Sequence, residues 1–307
     1  MKANWTKQDI PDLSGKIIIV TGGNSGIGNE AVKAFAEKGA EIISACRNME
    51  KGEVAKAEIL KDLPKAQITV MELNLMDLDS IRTFAETFKS GYKKLDILLN
   101  NAGIMMNPYA LTKDGFESQM GTNHLGHFAL TGLLLSLILN TPKSRVVNIS
   151  SLAHKMGKMN FNNLLFEKGK GYSRIKAYGR SKISNLLFTY ELQKRFESAN
   201  ASSIAVTAHP GISDTNLGRH FENIWFVKLL MPMYMKMVQN AAMGALPGIR
   251  ASTDLDVKGS DYYGPGGKGE KTGFPIKVES NPASHNMEDA KKLWEESEKL
   301  TEVNFDF

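Results

Sequence analysis

Tyr178 and Lys182 stand four residues apart in the stretch Tyr178-Gly179-Arg180-Ser181-Lys182. Around them, residues 177–196 carry apolar side chains at helical spacing, among them Ile183, Leu186, Leu187, Tyr190 and Leu192. The spacing predicts a helix, on which residues i and i+4 project from one face a turn apart. An ammonium held beside a phenol favours the phenolate, so the Tyr178 pKa is expected to fall from its free value of about 10. A phenol tuned in this way exchanges a proton with an alcohol or a carbonyl, which is general acid–base chemistry. The pair alone is a weak signal, because Tyr-x-x-x-Lys also occurs by chance on solvated helix faces. Its meaning depends on the elements that hold it.

The composition is that of a soluble globular chain. Of its 307 residues, 42% are hydrophobic and 23% charged, enough to bury a substantial core. The formal net charge of +5 comes from scattered basic residues. That pattern argues against a nucleic-acid partner and suits a polyanionic cofactor. Cys46 is the only cysteine, which excludes an internal disulfide and fits a reducing cytoplasm, the expected location. The polar start shows no apolar run of a signal peptide. No uncharged apolar stretch reaches the roughly 18 residues of a membrane span.

Residues 17–20 form a short continuous apolar run, the mark of a strand buried on both faces of a parallel sheet. The run leads into Thr21-Gly22-Gly23-Asn24-Ser25-Gly26-Ile27-Gly28 and then a helical pattern carrying Ala31, Phe35 and Ala36. Strand, glycine turn and helix in this order make the setting of a dinucleotide site. Glycines let backbone N–H groups approach a pyrophosphate at the positive helix end. The plainer alternative is a glycine-rich βα turn with no ligand. A second strand, residues 42–46, ends in Arg47 and Asn48 with no acid beside it. An acid at this place takes the ribose 2′-OH of NAD, whereas an arginine accommodates the 2′-phosphate of NADP. NADP(H) is therefore the expected cofactor, with NAD(H) as the second.

Alternation continues with a strand at 68–73, a helix at 78–88 and a fourth strand at 95–99. The turn Asn100-Asn101-Ala102-Gly103 follows, where a cofactor would cross the strand ends. Residues 116–139 read as one long, largely apolar helix containing Asn123. A buried asparagine needs partners; it either caps its own backbone or holds water for a proton relay. A fifth strand, residues 145–149, ends in Ser150 and Ser151, residues 152–175 are mostly loop, and a sixth strand, residues 204–208, precedes His209-Pro210-Gly211. With no linker and no internal repeat, these β-α units predict one doubly wound α/β domain.

Taken together, the chain resembles the short-chain dehydrogenase/reductase family. The matching pieces are the glycine loop, Asn100 to Gly103, Asn123, Asn148-Ile149-Ser150-Ser151, Tyr178 with Lys182, and Pro210-Gly211 with Thr215, in the family's order. Ala45-Cys46-Arg47-Asn48, the run from Arg145 to His154 and the long stretch between Ser151 and Tyr178 are most similar to the retinol dehydrogenase-like branch. The resemblance implies a Rossmann-type domain over residues 1–307 with a mostly parallel, seven-stranded sheet, a substrate loop at 212–240 and a C-terminal extension at 258–307. It implies Tyr178 as acid/base, Lys182 lowering its pKa and binding the nicotinamide ribose, Ser151 rather than Ser150 on the substrate oxygen, and Asn123 in a water relay. For the cofactor it implies Gly22, Asn24, Ser25, Gly26, Ile27 and Gly28 at the pyrophosphate and Asn74 with Leu75 near the adenine. Asn101, Ala102 and Gly103 would border the ribose, and Pro210, Gly211 and Thr215 would close over the nicotinamide. Asn74 departs from the aspartate usual in the family, and no basic residue precedes Gly26.

His124, His127, His154 and His209 are dispersed and lack metal-ligand spacing, so no metal is expected. Residues 258–273 read as a last strand with tight turns, not as a phosphate loop. Residues 287–300 read as a terminal helix, packed on the domain or on another subunit of a dimeric or tetrameric homo-oligomer. Residues 221–238, rich in methionine and aromatic side chains, suggest an adaptable apolar wall for a lipophilic alcohol, aldehyde or ketone. The alternatives are a carbon–carbon double-bond reductase and a non-catalytic NADP-binding partner protein, the latter having no need of Ser151, Tyr178 and Lys182.

Overall fold

Short apolar-rich segments become the strands of a parallel sheet, most of them covered on both faces, whereas residues 67–72 at its edge bury alternate side chains. In the computed structural model, which describes residues 4–213 and 238–307, these are β1 (Ile17–Thr21), β2 (Glu41–Cys46), β3 (Gln67–Glu72), β4 (Ile97–Asn100), β5 (Arg145–Ile149), β6 (Ile204–Ala208) and β7 (Tyr262–Pro265). All seven are parallel. A further short strand, β8 (Pro275–Lys277), pairs antiparallel with β7 and makes the sheet eight-stranded, in the order β3-β2-β1-β4-β5-β6-β7-β8. The order reverses between β1 and β4, and in such sheets ligands bind outside the carboxyl ends of the strands at that switch point.

Helices α1 (Gly26–Ala36), α2 (Met49–Asp62) and α3 (Leu78–Gly91) connect the first strands. Asn48 caps α2 by accepting from Lys51 N at 2.8 Å, and Asp77 caps α3. The long helix expected over 116–139 is instead divided. It comprises α4 (Ser118–Met120), a π-helical turn (Gly121–Leu125), α5 (Gly126–Leu133) and, after a break at Leu134, α6 (Leu135–Asn140). Sequence periodicity does not distinguish a π turn from an α turn, and the former often marks a functional position. Then come α7 (Arg174–Ser198), which carries Tyr178 and Lys182, α8 (Ala241–Thr253) and α9 (Met287–Thr301).

One core gathers α1 and α8 on the sheet, around Phe35, Ile249 and Tyr263. The other packs α3, α5 and α7 on it, around Phe84, Phe128 and Phe188. Helix α9 docks on this same chain, with Trp294 buried at ring distances of 5.2 Å from Phe128, 5.7 Å from Phe188 and 4.5 Å from Phe305. Among the described residues, no helix is long and apolar enough to cross a membrane. Thr215 and residues 221–237 of the expected substrate wall lie outside the described residues.

Candidate active site

The carboxyl end of β1 is tied to the end of β4 through one hydroxyl. Thr21 Oγ1 accepts from Asn101 N and Ala102 N, each at 2.9 Å, while Asn101 Nδ2 donates to Thr21 O at 2.8 Å. His127 completes the network: its Nδ1 lies 3.1 Å from Asn123 O, a carbonyl that can only accept, so Nε2 accepts from the Thr21 hydroxyl at 2.9 Å. Burial holds the His127 pKa down at about 4, consistent with that neutral tautomer. Between these strands the glycine loop passes with no room to spare. A Cβ on Gly28 would overlap Gly22 O and lie 2.6 Å from Asn101 Nδ2. Gly22 itself holds φ 68°, a left-handed conformation that favours glycine.

These turns wall a groove of about 520 Å³. Sixteen of the anticipated binding residues line it: Gly22, Asn24 to Gly28, Arg47, Asn48, Asn74, Leu75, Asn101 to Gly103, Tyr178, Lys182 and Pro210. Gly211 does not line it. The groove suits a dinucleotide in three respects: the close-packed glycine loop, a cation at one end, and a Thr122 hydroxyl on its wall with no hydrogen-bond partner. Residues not anticipated also face it, notably Lys51, Met76, Ile104 and Thr122. Lys51 stands in the first turn of α2, four residues after Arg47, as a second cation at this end. Asn74 folds onto its own turn, its Oδ1 accepting from Met76 N at 3.2 Å.

At the other end, α7 presents Tyr178 and Lys182 with exposures of 7% and 4%. Here the expected pKa direction is corrected. Burial raises the Tyr178 phenol above its usual value, and the neighbouring Ser151 hydroxyl only partly opposes it. Lys182 Nζ lies 5.7 Å from the Tyr178 ring centre and donates instead to Ile149 O at 3.0 Å. Burial lowers its own pKa to about 8. Desolvation therefore outweighs a cation that is near but not in contact. The result is a protonated phenol beside an ammonium.

The two serines after β5 have different partners. Ser150 lines the groove while its Oγ donates to Lys182 O at 2.9 Å, whereas half-buried Ser151, outside that lining, caps the 3₁₀ turn Leu152–Met156 with its hydroxyl beside Tyr178. Asn123 sits on the π turn behind the groove. Its Nδ2 donates to Ile104 O at 3.0 Å and Ser181 Oγ at 2.9 Å, while Oδ1 accepts from Ile104 N at 2.8 Å. Both amide protons are thus used on the protein. Among the described residues, no group of three or more His, Cys, Asp or Glu side chains is placed to hold a metal ion.

Residues 16–163 match the family model of the short chain dehydrogenases. Mouse (Mus musculus) retinol dehydrogenase 12 is 42% identical over 253 residues, covering 82% of this chain and 78% of its own. The chain belongs to the short-chain dehydrogenase/reductase family. It is an oxidoreductase of that NAD(P)-dependent type, with retinol dehydrogenase-like relatives. An uncharacterised protein of Mycobacterium paratuberculosis has the same fold at a TM-score of 0.83 and 39% identity, covering 99% of this chain and 100% of its own. A short chain dehydrogenase of Shigella flexneri 2a, solved with NADP, is similar in fold alone, with a TM-score of 0.62, 22% identity and coverage of 81% of this chain and 96% of its own.

Proposed function

We propose that this oxidoreductase uses NADP(H) to interconvert a lipophilic alcohol and its aldehyde or ketone. One observation carries the reading: the buried Tyr178 and Lys182 line a groove that begins at Arg47, and the half-buried Ser151 hydroxyl stands beside the Tyr178 phenol. A phenol kept protonated by burial is in the state needed to donate a proton to a carbonyl oxygen. Ser151 holds that oxygen by a hydrogen bond. The Lys182 ammonium stabilises the phenolate left behind. Asn123 acts from behind the groove by fixing the segment at Ile104. When bound, the nicotinamide cofactor supplies or removes hydride at the carbon. At the far end Arg47, with Lys51 beside it, offers the 2′-phosphate a planar donor that a neutral side chain lacks.

The apolar substrate class is supported by the retinol dehydrogenase relatives and the methionine-rich composition of residues 221–238. Turnover of a homologous series of aliphatic aldehydes with NADPH tests it. With about 0.8 kcal/mol gained per buried methylene, kcat/KM is expected to rise about fourfold per added carbon until the pocket is full. A flat trend, or preference for sugars, would exclude a lipophilic substrate.

A further inference from the structure

Glu270 adopts a left-handed backbone conformation, φ 57°, that non-glycine residues rarely take, directly after Gly269 at φ 65°. Its two carboxylate oxygens reach two distant parts of the chain. Oε2 accepts from His209 Nε2 at 2.9 Å, and Oε1 accepts from Lys155 Nζ at 2.8 Å. Lys155 lies on the 3₁₀ turn capped by Ser151. His209 directly precedes Pro210, which lines the groove. One carboxylate thus joins the turn after β5 to the bend after β6.

The chemistry of His209 is one-directional. Its Nδ1 accepts from Gly211 N at 3.2 Å, leaving Nε2–H to donate to Glu270. Burial keeps the His209 pKa below its usual value, while the bonds from His209 and Lys155 hold the Glu270 carboxyl down at about 2. A neutral imidazole therefore donates to a carboxylate. The surroundings are shaped for it, because a Cβ on Gly264 would overlap the His209 ring.

The same loop grips the next residues. Gly211, at φ 66°, packs so that a Cβ would overlap Lys271 O, and Ile212 N donates to that carbonyl at 2.8 Å. Gln239 bridges the two segments, donating to Pro210 O at 2.8 Å and accepting from Gly273 N at 3.1 Å. Strained residues persist only where their surroundings over-determine them, and they cluster at functional positions. Residues 264–273 all lie beyond the stretch 16–163 that matches the family model.

We propose that Glu270 is a positioning residue which, through His209 and Lys155, clasps the bend at Pro210 and Gly211 to the Ser151 side of the site and so sets the groove wall facing the nicotinamide end of the cofactor. The inference rests on the groove taking NADP(H). The test uses the full chain and two readouts, NADPH titration and amide hydrogen exchange in cofactor-free protein. Glu270→Ala is expected to raise the NADPH Kd about tenfold. It should also speed exchange at Gly211 and Ile212 while leaving β1 and β4 unchanged. Glu270→Gln retains an oxygen that accepts from His209, so it should restore most of that protection and keep Kd within about threefold of wild type. Lys155→Met removes an exposed anchor and should act in the same direction, more weakly. Wild-type exchange at Gly211 and Ile212 in Glu270→Ala would overturn the clasp. So would faster exchange throughout the domain with no rescue by glutamine, which would make Glu270 a general stabiliser. Wild-type protein that binds no NADPH would overturn the cofactor reading, and the exchange readout would still decide the clasp.

Discussion

At one end of the groove Arg47, Asn48 and Lys51 are exposed, set by the local turn between β2 and α2. At the other end Tyr178 and Lys182 are buried, and they meet Ser151 only because α7 crosses the end of β5. The exposed end acts through charge and is screened by salt. The buried end shifts proton affinities, with the phenol raised and the ammonium lowered to about 8. Exposure serves recognition here, and desolvation serves reactivity.

The largest effect that would break this division is expected at the buried end. Tyr178→Phe keeps the ring and removes the proton, so kcat should fall by roughly 10²–10⁴, while NADPH titration should give a Kd within about twofold of wild type. Unchanged turnover would remove Tyr178 from the chemistry. At the exposed end Arg47→Ala should lower kcat/KM about tenfold with NADPH and leave NADH nearly unaffected, a gap that narrows as salt is raised. Equal losses with both cofactors would show that Arg47 does not read the 2′-phosphate.

The smallest effect sharpens the comparison through pH. Lys182 is charged below a pKa of about 8 and neutral above it. The ketone or aldehyde reduction rate should therefore decline as pH rises through that value, when the charge that stabilises the Tyr178 phenolate is lost. Lys182→Arg carries a charge that does not titrate there. Whatever its absolute rate, the pH–rate profile of this variant should lack that alkaline limb. A limb retained near the same pH would assign it to another group.

Local features were legible in the chain's residues. The apolar run at 17–20 falls within β1 because a strand buried on both faces leaves a continuous hydrophobic signature, and the strands expected at 145–149 and 204–208 coincide with β5 and β6. The glycine loop was legible because its spacing is a requirement of backbone approach, and Arg47 because it directly follows a strand end. Tertiary structure decided whatever depends on burial or on partners distant in the chain. The direction of the Tyr178 shift follows from desolvation by surrounding elements, which no i, i+4 spacing reports. The difference between Ser150 and Ser151 is one of orientation, settled by the Lys182 carbonyl that takes the first. The division of the helix over 116–139 and the docking of Trp294 on its own domain depend on packing that apolar periodicity only permits. The grip of Glu270 on His209 joins residues 61 positions apart, brought together by the pairing of β6, β7 and β8 at one side of the sheet.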